Sequence, residues 1–143
     1  MIDLLKKWAK TYFLNKDLLI GKKPIIEEKD DYILITNEDQ SHVIVIVKEK
    51  LENIKPIVER FTELENLHKP TKLTLVLYNK KENVQLIVKG WHELIKKPNL
   101  SILFVNPKTH TKWSVNPYIH NKIADKKTLK KGLLSLYTTV EPV

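Results

Sequence analysis

Residues 31–48, "DYILITNEDQSHVIVIVK", decide how this chain folds. Two runs rich in isoleucine and valine, at 31–36 and 42–48, favour strands because branched side chains suit a pleated surface. The polar segment "NEDQ" between them can reverse the chain, since asparagine and aspartate side chains satisfy nearby backbone groups. The stretch therefore predicts a β-hairpin that opens at Asp31 and closes at Lys48.

The segments around this hairpin alternate between helical and strand patterns. Apolar residues at helical spacing predict helices over residues 2–14, 50–69 and 82–98, and from about residue 126 onwards. Short apolar runs predict strands at 17–29 (one strand or two half-strands), 72–79 and 100–107. We therefore expect one α/β domain over residues 1–143, with a mixed central sheet flanked by helices in the order α-β-β-β-α-β-α-β-α.

Composition excludes several classes of protein. The 143 residues contain no cysteine, which rules out disulfides and thiolate chemistry and is consistent with a cytoplasmic protein. Lysines interrupt the apolar start "MIDLLKKWAK", so we expect neither a signal peptide nor a membrane role. With only three glycines, the chain has no glycine-rich phosphate loop and no dinucleotide fingerprint.

The charge balance is strongly basic. Twenty-five basic residues oppose 17 acidic ones, which gives a formal net charge of +8, and Arg60 is the only arginine. Such a surface attracts nucleic acid, although a lysine-rich composition also arises from an AT-rich genome or heat adaptation. Because bidentate reading of bases relies on arginine, we expect binding to be directed at the phosphate backbone and sensitive to salt.

The element order, with Asp31 opening one strand and Lys48 closing the next, resembles the PD-(D/E)XK superfamily. This restriction-endonuclease-like group includes the archaeal Holliday-junction resolvases. The resemblance covers roughly residues 2–105. It implies that Asp31 and an acid two residues before Lys48 hold Mg²⁺, and that Lys48 positions the attacking water.

The sequence departs from this family at the position of that acid, which is Ile46. Side chains two apart on a strand share a face, so an acid at 46 would lie beside Lys48, whereas Glu49 points the other way. An isoleucine cannot bind Mg²⁺, which requires oxygen ligands. Only a displaced acid, from Glu27, Glu28 or Glu38, would leave Asp31 as a metal ligand with a magnesium cofactor.

A second unusual stretch is "NPKTHTKWSVNPYIH", residues 106–120, which follows a buried strand. Loops at the carboxyl ends of strands often bind ligands, and we assign nucleic-acid contacts to Lys108, His110, Lys112 and Trp113. The alternative is an ordered loop or hairpin in which Trp113 is a packing anchor. No acidic partner lies in this segment to complete a metal site with its histidines.

Four lysines near the carboxyl end of the sequence form the best candidate for electrostatic docking. Lys126 and Lys130, like Lys127 and Lys131, are four residues apart and would share one strip of a helix. Asp125 is positioned to cap this helix. We therefore add Lys126, Lys127, Lys130 and Lys131 to the predicted nucleic-acid contacts.

These patterns lead to one principal expectation and two alternatives. The principal one is a nuclease-like domain without catalysis, which binds nucleic acid or serves as a non-catalytic subunit. The first alternative is an active Mg²⁺-dependent nuclease with a displaced acid. The second is a protein–protein interaction module without a nucleic-acid role, with either a homodimer or another protein as partner.

Overall fold

A computed structural model describes residues 2–124 and 126–143. A mixed sheet of six strands forms its centre, and the spatial order of the strands is the same as their order along the chain. The strands are β1 (Ile25–Glu28), β2 (Ile33–Thr36), β3 (His42–Lys48), β4 (Lys72–Tyr78), β5 (Leu100–Asn106) and β6 (Thr111–Val115). β1, β2 and β3 form an antiparallel meander, β3, β4 and β5 are parallel, and β6 pairs antiparallel with β5.

Helices cover the two faces of this sheet unequally. The helices are α1 (Ile2–Asn15), α2 (Ile54–His68), α3 (Lys81–Lys89), α4 (Trp91–Leu94), α5 (Pro117–Ile123) and α6 (Leu129–Tyr137). α1 packs on one face, through Leu5 and Ala9. α2, α3, α4 and α6 pack on the other face, and α5 lies beside α4. Within the described residues, no helix has the length and apolar character needed to cross a membrane.

The alternation of β3 divides the core into two clusters. Ile44 and Ile46 face α2, while Val43 and Val45 face α1. A strand buried on both faces needs a nearly continuous apolar run, which "HVIVIVK" supplies. The predicted hairpin is thus confirmed, and the predicted third strand has the bounds of β3.

The mixed α/β class with helices on both sides of the sheet is confirmed, but several predicted bounds are wrong. The segment predicted as strand over 17–29 is a strand only in β1, and Leu18–Ile20 form a 3-10 helix. β2 begins at Ile33, so Asp31 lies in the turn before the strand. The helix predicted over 82–98 is two helices that meet at Gly90, where the backbone lies so close to Ile54 that a Cβ atom would collide with its side chain. In the segment 106–120, the hairpin alternative is confirmed, because β6 pairs antiparallel with β5, and the last residues of the segment begin α5.

Two buried asparagines close the sheet edge at which the parallel strands end, which we call the carboxyl edge. Asn79 accepts a hydrogen bond from the indole of Trp113 at 2.8 Å and donates to the backbone carbonyl of Tyr137 at 3.2 Å. Asn106 donates to the carbonyl of Glu141 at 3.0 Å. The segment after α6 is therefore fastened across the ends of β4 and β5 by side chains that water does not reach.

We expect Asn79→Ala to destabilise the protein by about 1–3 kcal/mol, because it leaves the buried indole N–H of Trp113 without an acceptor. Urea denaturation followed by tryptophan fluorescence measures the change. Asn66→Ala, at an exposed position on α2, is the matched control and should have little effect. Equal stability of the two variants would contradict the role given to Asn79.

Candidate functional site

The hairpin brings Asp31 and Lys48 to the same end of the sheet. Ile33 pairs with Val45, so the turn that precedes β2 lies beside the end of β3. Asp31 and Lys48 both line a concavity of about 400 Å³ between this turn and the last residues of β3, which we call the Asp31 concavity. The two residues selected from the sequence thus share one surface depression.

Position 46 contributes no ligand to this concavity. Ile46 is 2% exposed and packs in the apolar cluster beneath α2. It lies on the same side of β3 as Lys48, as strand alternation requires. Its neighbour Glu49 does line the concavity, but from the far side of the strand end. A carboxylate at position 46 would have to displace core packing in order to reach a metal.

Both carboxylate oxygens of Asp31 are already bound by Arg60 of α2. Nε of Arg60 donates to Oδ2 at 2.6 Å and Nη2 donates to Oδ1 at 2.9 Å, while Nη1 reaches Glu63 Oε2 at 2.8 Å. These hydrogen bonds lower the pKa of Asp31, against a smaller opposing effect of burial. A bidentate guanidinium neutralises the charge that a metal ion would otherwise meet.

Arg60 is the site residue that sequence analysis did not select. Its guanidinium also lies 5.7 Å from the ring centre of Tyr32, the residue that follows Asp31. One feature of the sequence could have identified it. Arg60 is the single arginine in a chain whose other cationic residues are lysines, and it lies on the helix that follows the hairpin. Since the side chains of Asp31 and Arg60 are 49% and 36% exposed, the pair orders the turn more than it stabilises the fold.

Glu28 is the one displaced-acid candidate that lines the Asp31 concavity. Its carboxylate is bound by two lysines of α1, with Lys10 Nζ at 2.9 Å and Lys6 Nζ at 3.8 Å. The hydrogen bond and charge of Lys10 lower the pKa of Glu28, so the carboxylate is ionised and already paired at neutral pH.

The other two candidate acids are engaged elsewhere. Glu27 pairs with Lys29 at 3.1 Å. Glu38 lies in the turn between β2 and β3, at the opposite end of the hairpin from Asp31, and accepts the backbone N–H of Lys23 at 3.1 Å. Among the described residues, no group of three or more histidines and acids is arranged to hold a metal ion.

The residues selected from the stretch 106–120 are distributed over three environments. Lys108 and His110 lie in the tight turn between β5 and β6, where His110 adopts a left-handed backbone with φ of 57°. Trp113 is 6% exposed and stacks on Phe104 with ring centres 4.2 Å apart, so its ring is not available to a nucleic-acid base. Lys112 lies on the face of the sheet that carries α1.

The lysines near the carboxyl end of the sequence form a continuous surface. Lys127, Lys130 and Lys131, which we call the α6 lysine strip, line a shallow depression that Leu134, Ser135 and Thr138 complete. The helix predicted from about residue 126 begins at Leu129 instead, so Lys130 and Lys131 lie on α6 while Lys127 lies in the 3-10 turn before it. The predicted cap Asp125 and the side chain of Lys126 lie outside the described residues. The strip belongs to the helical layer that carries α2, so the sheet separates it from Lys112.

Comparison of the chain with models of protein families, with curated proteins and with solved structures finds no match. The side chains of the Asp31 concavity and of the lysine surfaces are therefore the basis for assigning a function.

Proposed function

We propose that this chain is a nuclease-like domain that binds nucleic acid without cutting it, either alone or as the non-catalytic subunit of an assembly. An antiparallel meander followed by a helix and a parallel strand supports the restriction-endonuclease-like order that the sequence suggests. The place of Asp31 and Lys48 in one depression supports it further, because the family's catalytic residues would meet there.

The observation that carries the proposal is the state of the Asp31 carboxylate. Arg60 holds both oxygens, and the neighbouring position expected to supply a second acid is the buried Ile46. Mg²⁺ needs several oxygen ligands in near-octahedral geometry and gives up its water reluctantly. A depression that offers one ion-paired carboxylate keeps the outline of the family's site without its metal chemistry.

Binding is assigned to the α6 lysine strip, with the turn that carries Lys108 and His110 as a second contact. Lysine ammonium groups act as point charges, which suits phosphate oxygens and carries little information about base sequence. The net charge of +8 adds a long-range attraction that weakens as salt rises. The expected mode is therefore backbone-directed, with little sequence preference.

Replacing Lys127, Lys130 and Lys131 together by glutamine should weaken binding to duplex DNA by a similar factor for unrelated sequences. It should also reduce the slope of log affinity against log salt by about 2 to 3, because each lost phosphate contact lowers the slope by about 1. Fluorescence anisotropy at several salt concentrations measures both quantities.

A variant with the same change in net charge, Lys7, Lys55 and Lys89 to glutamine, is the control. These lysines are exposed and lie outside the α6 lysine strip, so the control should alter binding much less. Equal losses in the two triple variants would show that only net charge matters, and no binding of DNA or RNA at low salt would sink the proposal.

An active metal-dependent nuclease is the second candidate, and the position of Glu28 favours it. Glu28 lines the same depression as Asp31 and Lys48, so release from Lys10 would give a second carboxylate there. This candidate requires Arg60 to leave Asp31 when a metal ion binds.

For the non-catalytic proposal, we expect no cleavage of duplex, branched or single-stranded DNA with Mg²⁺ or Mn²⁺. Cleavage that is present in the natural chain and lost in each of Asp31→Asn, Lys48→Gln and Glu28→Gln would overturn it in favour of the nuclease. Cleavage that survives all three changes would point to a contaminating enzyme. DNA affinity should be unchanged in Asp31→Asn, because Asp31 lies outside the α6 lysine strip.

A protein partner is the third candidate, and an exposed apolar segment favours it. Leu18, Leu19 and Ile20 form a short 3-10 helix with no buried residue, and Ile25 on the edge strand β1 is exposed as well. Neighbouring apolar side chains on a surface mark interaction sites. If two copies pair here, light scattering should give a dimer mass for the natural chain and a monomer mass for Leu19→Lys. A monomer mass for both would exclude this homodimer.

A further inference from the structure

A second depression lies on the α1 face of the sheet, at the edge where the parallel strands begin, and we call it the amino-edge cleft. Its volume is about 360 Å³, within the range of small-molecule sites. The sheet forms its floor and the last turn of α1 forms its wall. Faces of parallel strands are normally covered by helices, but α1 alone serves this face and leaves its amino end open.

The floor of the cleft changes from apolar to hydroxyl-bearing where α1 ceases to cover it. Thr74 of β4 is directly paired with Ser101 of β5, and Ser114 of β6 follows beside Leu103. Further along the same strands, the positions facing α1 are the buried Val76 and Val105. The three hydroxyl groups bond no other described side chain or backbone group, although Thr74 is only 6% exposed. No side-chain polar atom of the described residues is buried without a partner, so these hydroxyl groups reach the cleft and can bond a ligand or water there.

Three lysines surround this floor. Lys16 follows α1, Lys72 begins β4 and Lys112 lies on β6, and none of them pairs with a carboxylate of the described residues. Asp17 is the one acid among the lining residues, so two net positive charges remain. The carboxyl end of α1 adds a partial negative charge of about −0.5, which does not reverse the sign.

Aromatic rings form the wall. Tyr12 and Phe13 meet edge to face with ring centres 5.1 Å apart, and both are half-buried. Trp8 stacks on one face of Tyr12 with ring centres 5.1 Å apart, and the ammonium of Lys112 lies over the ring at 5.2 Å from its centre. A planar ligand therefore stacks on Tyr12 only at the face beside Lys112, after that ammonium moves to the anionic group. A ligand with an anionic group and a planar ring would meet a charge and a stacking surface in one cleft.

We infer that the amino-edge cleft binds a phosphate monoester of a nucleoside. A phosphate monoester carries a charge of about −1.5 to −2 at neutral pH, which matches the two net positive charges of the cleft, whereas a phosphodiester carries only one. Lys72 and Lys112 receive the phosphate, the free hydroxyl groups of Thr74 and Ser101 complete its hydrogen bonds, and Tyr12 stacks with the base. This site is separate from the α6 lysine strip and does not depend on the proposed function.

Titration of the ¹⁵N-labelled natural chain at low salt tests the inference, with AMP, cyclic AMP, adenosine and inorganic phosphate as probes. AMP should give saturable shifts at the amides of Thr74, Ser101 and Ser114. It should bind more tightly than the other three probes, since only AMP has both the ring and two negative charges. Lack of saturable shifts, or equal affinity for AMP and cyclic AMP, would overturn the inference.

Three variants separate the cleft from general charge. Lys72→Gln combined with Lys112→Gln should weaken AMP binding at least about tenfold, because each charge-assisted hydrogen bond contributes that order of affinity. Thr74→Val should also weaken binding while the urea midpoint stays the same or rises, as removal of an unpartnered hydroxyl predicts. Lys89→Gln, on the exposed side of α3, should leave AMP binding unchanged. If Lys89→Gln weakened AMP binding as much as the double change at Lys72 and Lys112, the assignment would be contradicted.

Two sources of the ligand are then distinguishable. A 5′-phosphorylated oligonucleotide that displaces AMP, where its unphosphorylated counterpart does not, would identify the ligand as the end of a nucleic-acid strand. Failure of both oligonucleotides to displace AMP would identify a free mononucleotide. The triple change in the α6 lysine strip should leave AMP affinity unaltered. A loss of duplex binding and a loss of AMP binding at the amino-edge cleft can therefore be measured separately.

Discussion

The double burial of β3 is the constraint on which the rest of the structure depends. Its odd-numbered valines pack against α1 and its even-numbered isoleucines pack against α2, so a shift of one residue would exchange the two cores. The same alternation commits position 46 to the interior. A carboxylate there would face the apolar underside of α2, where an unpaired charge is strongly unfavourable. Core packing therefore excludes an acid at position 46.

The electrostatics of the Asp31 concavity are consistent with that outcome. Arg60 on α2 neutralises the carboxylate of Asp31 by binding both of its oxygens. Lys6 and Lys10 of α1 neutralise the carboxylate of Glu28 in the same way. Each acid thus links a turn or strand to the helix that covers it. These exposed pairs order the turn and strand at this edge of the sheet, and they occupy the carboxylate oxygens that a metal ion would need.

The parts of the fold that the sequence predicts are those set by local pattern. The bounds of β3 follow from one uninterrupted apolar run, and α2 follows from a regular helical spacing. The bounds of β6 were not predicted because it has only two inward residues, Trp113 and Val115, between exposed polar ones. Asp31 and Lys48 were found through their places at strand ends. Arg60 and the amino-edge cleft were not, since 29 residues separate Arg60 from Asp31 and the cleft joins residues of α1 and of five strands, β2 to β6.

The fastening of the last segment by Asn79 has a consequence for the order of folding. Its hydrogen bonds to the carbonyls of Tyr137 and Val140 span 58 and 61 residues. Contacts so distant in sequence carry a greater loop-closure cost than local ones, so we expect them to form after the local hairpin and its helices. Until then the ends of β4 and β5 are open to water, and the indole of Trp113 has no settled acceptor. The carboxyl edge, where α/β proteins commonly bind ligands, is in this chain covered by the chain's own last segment.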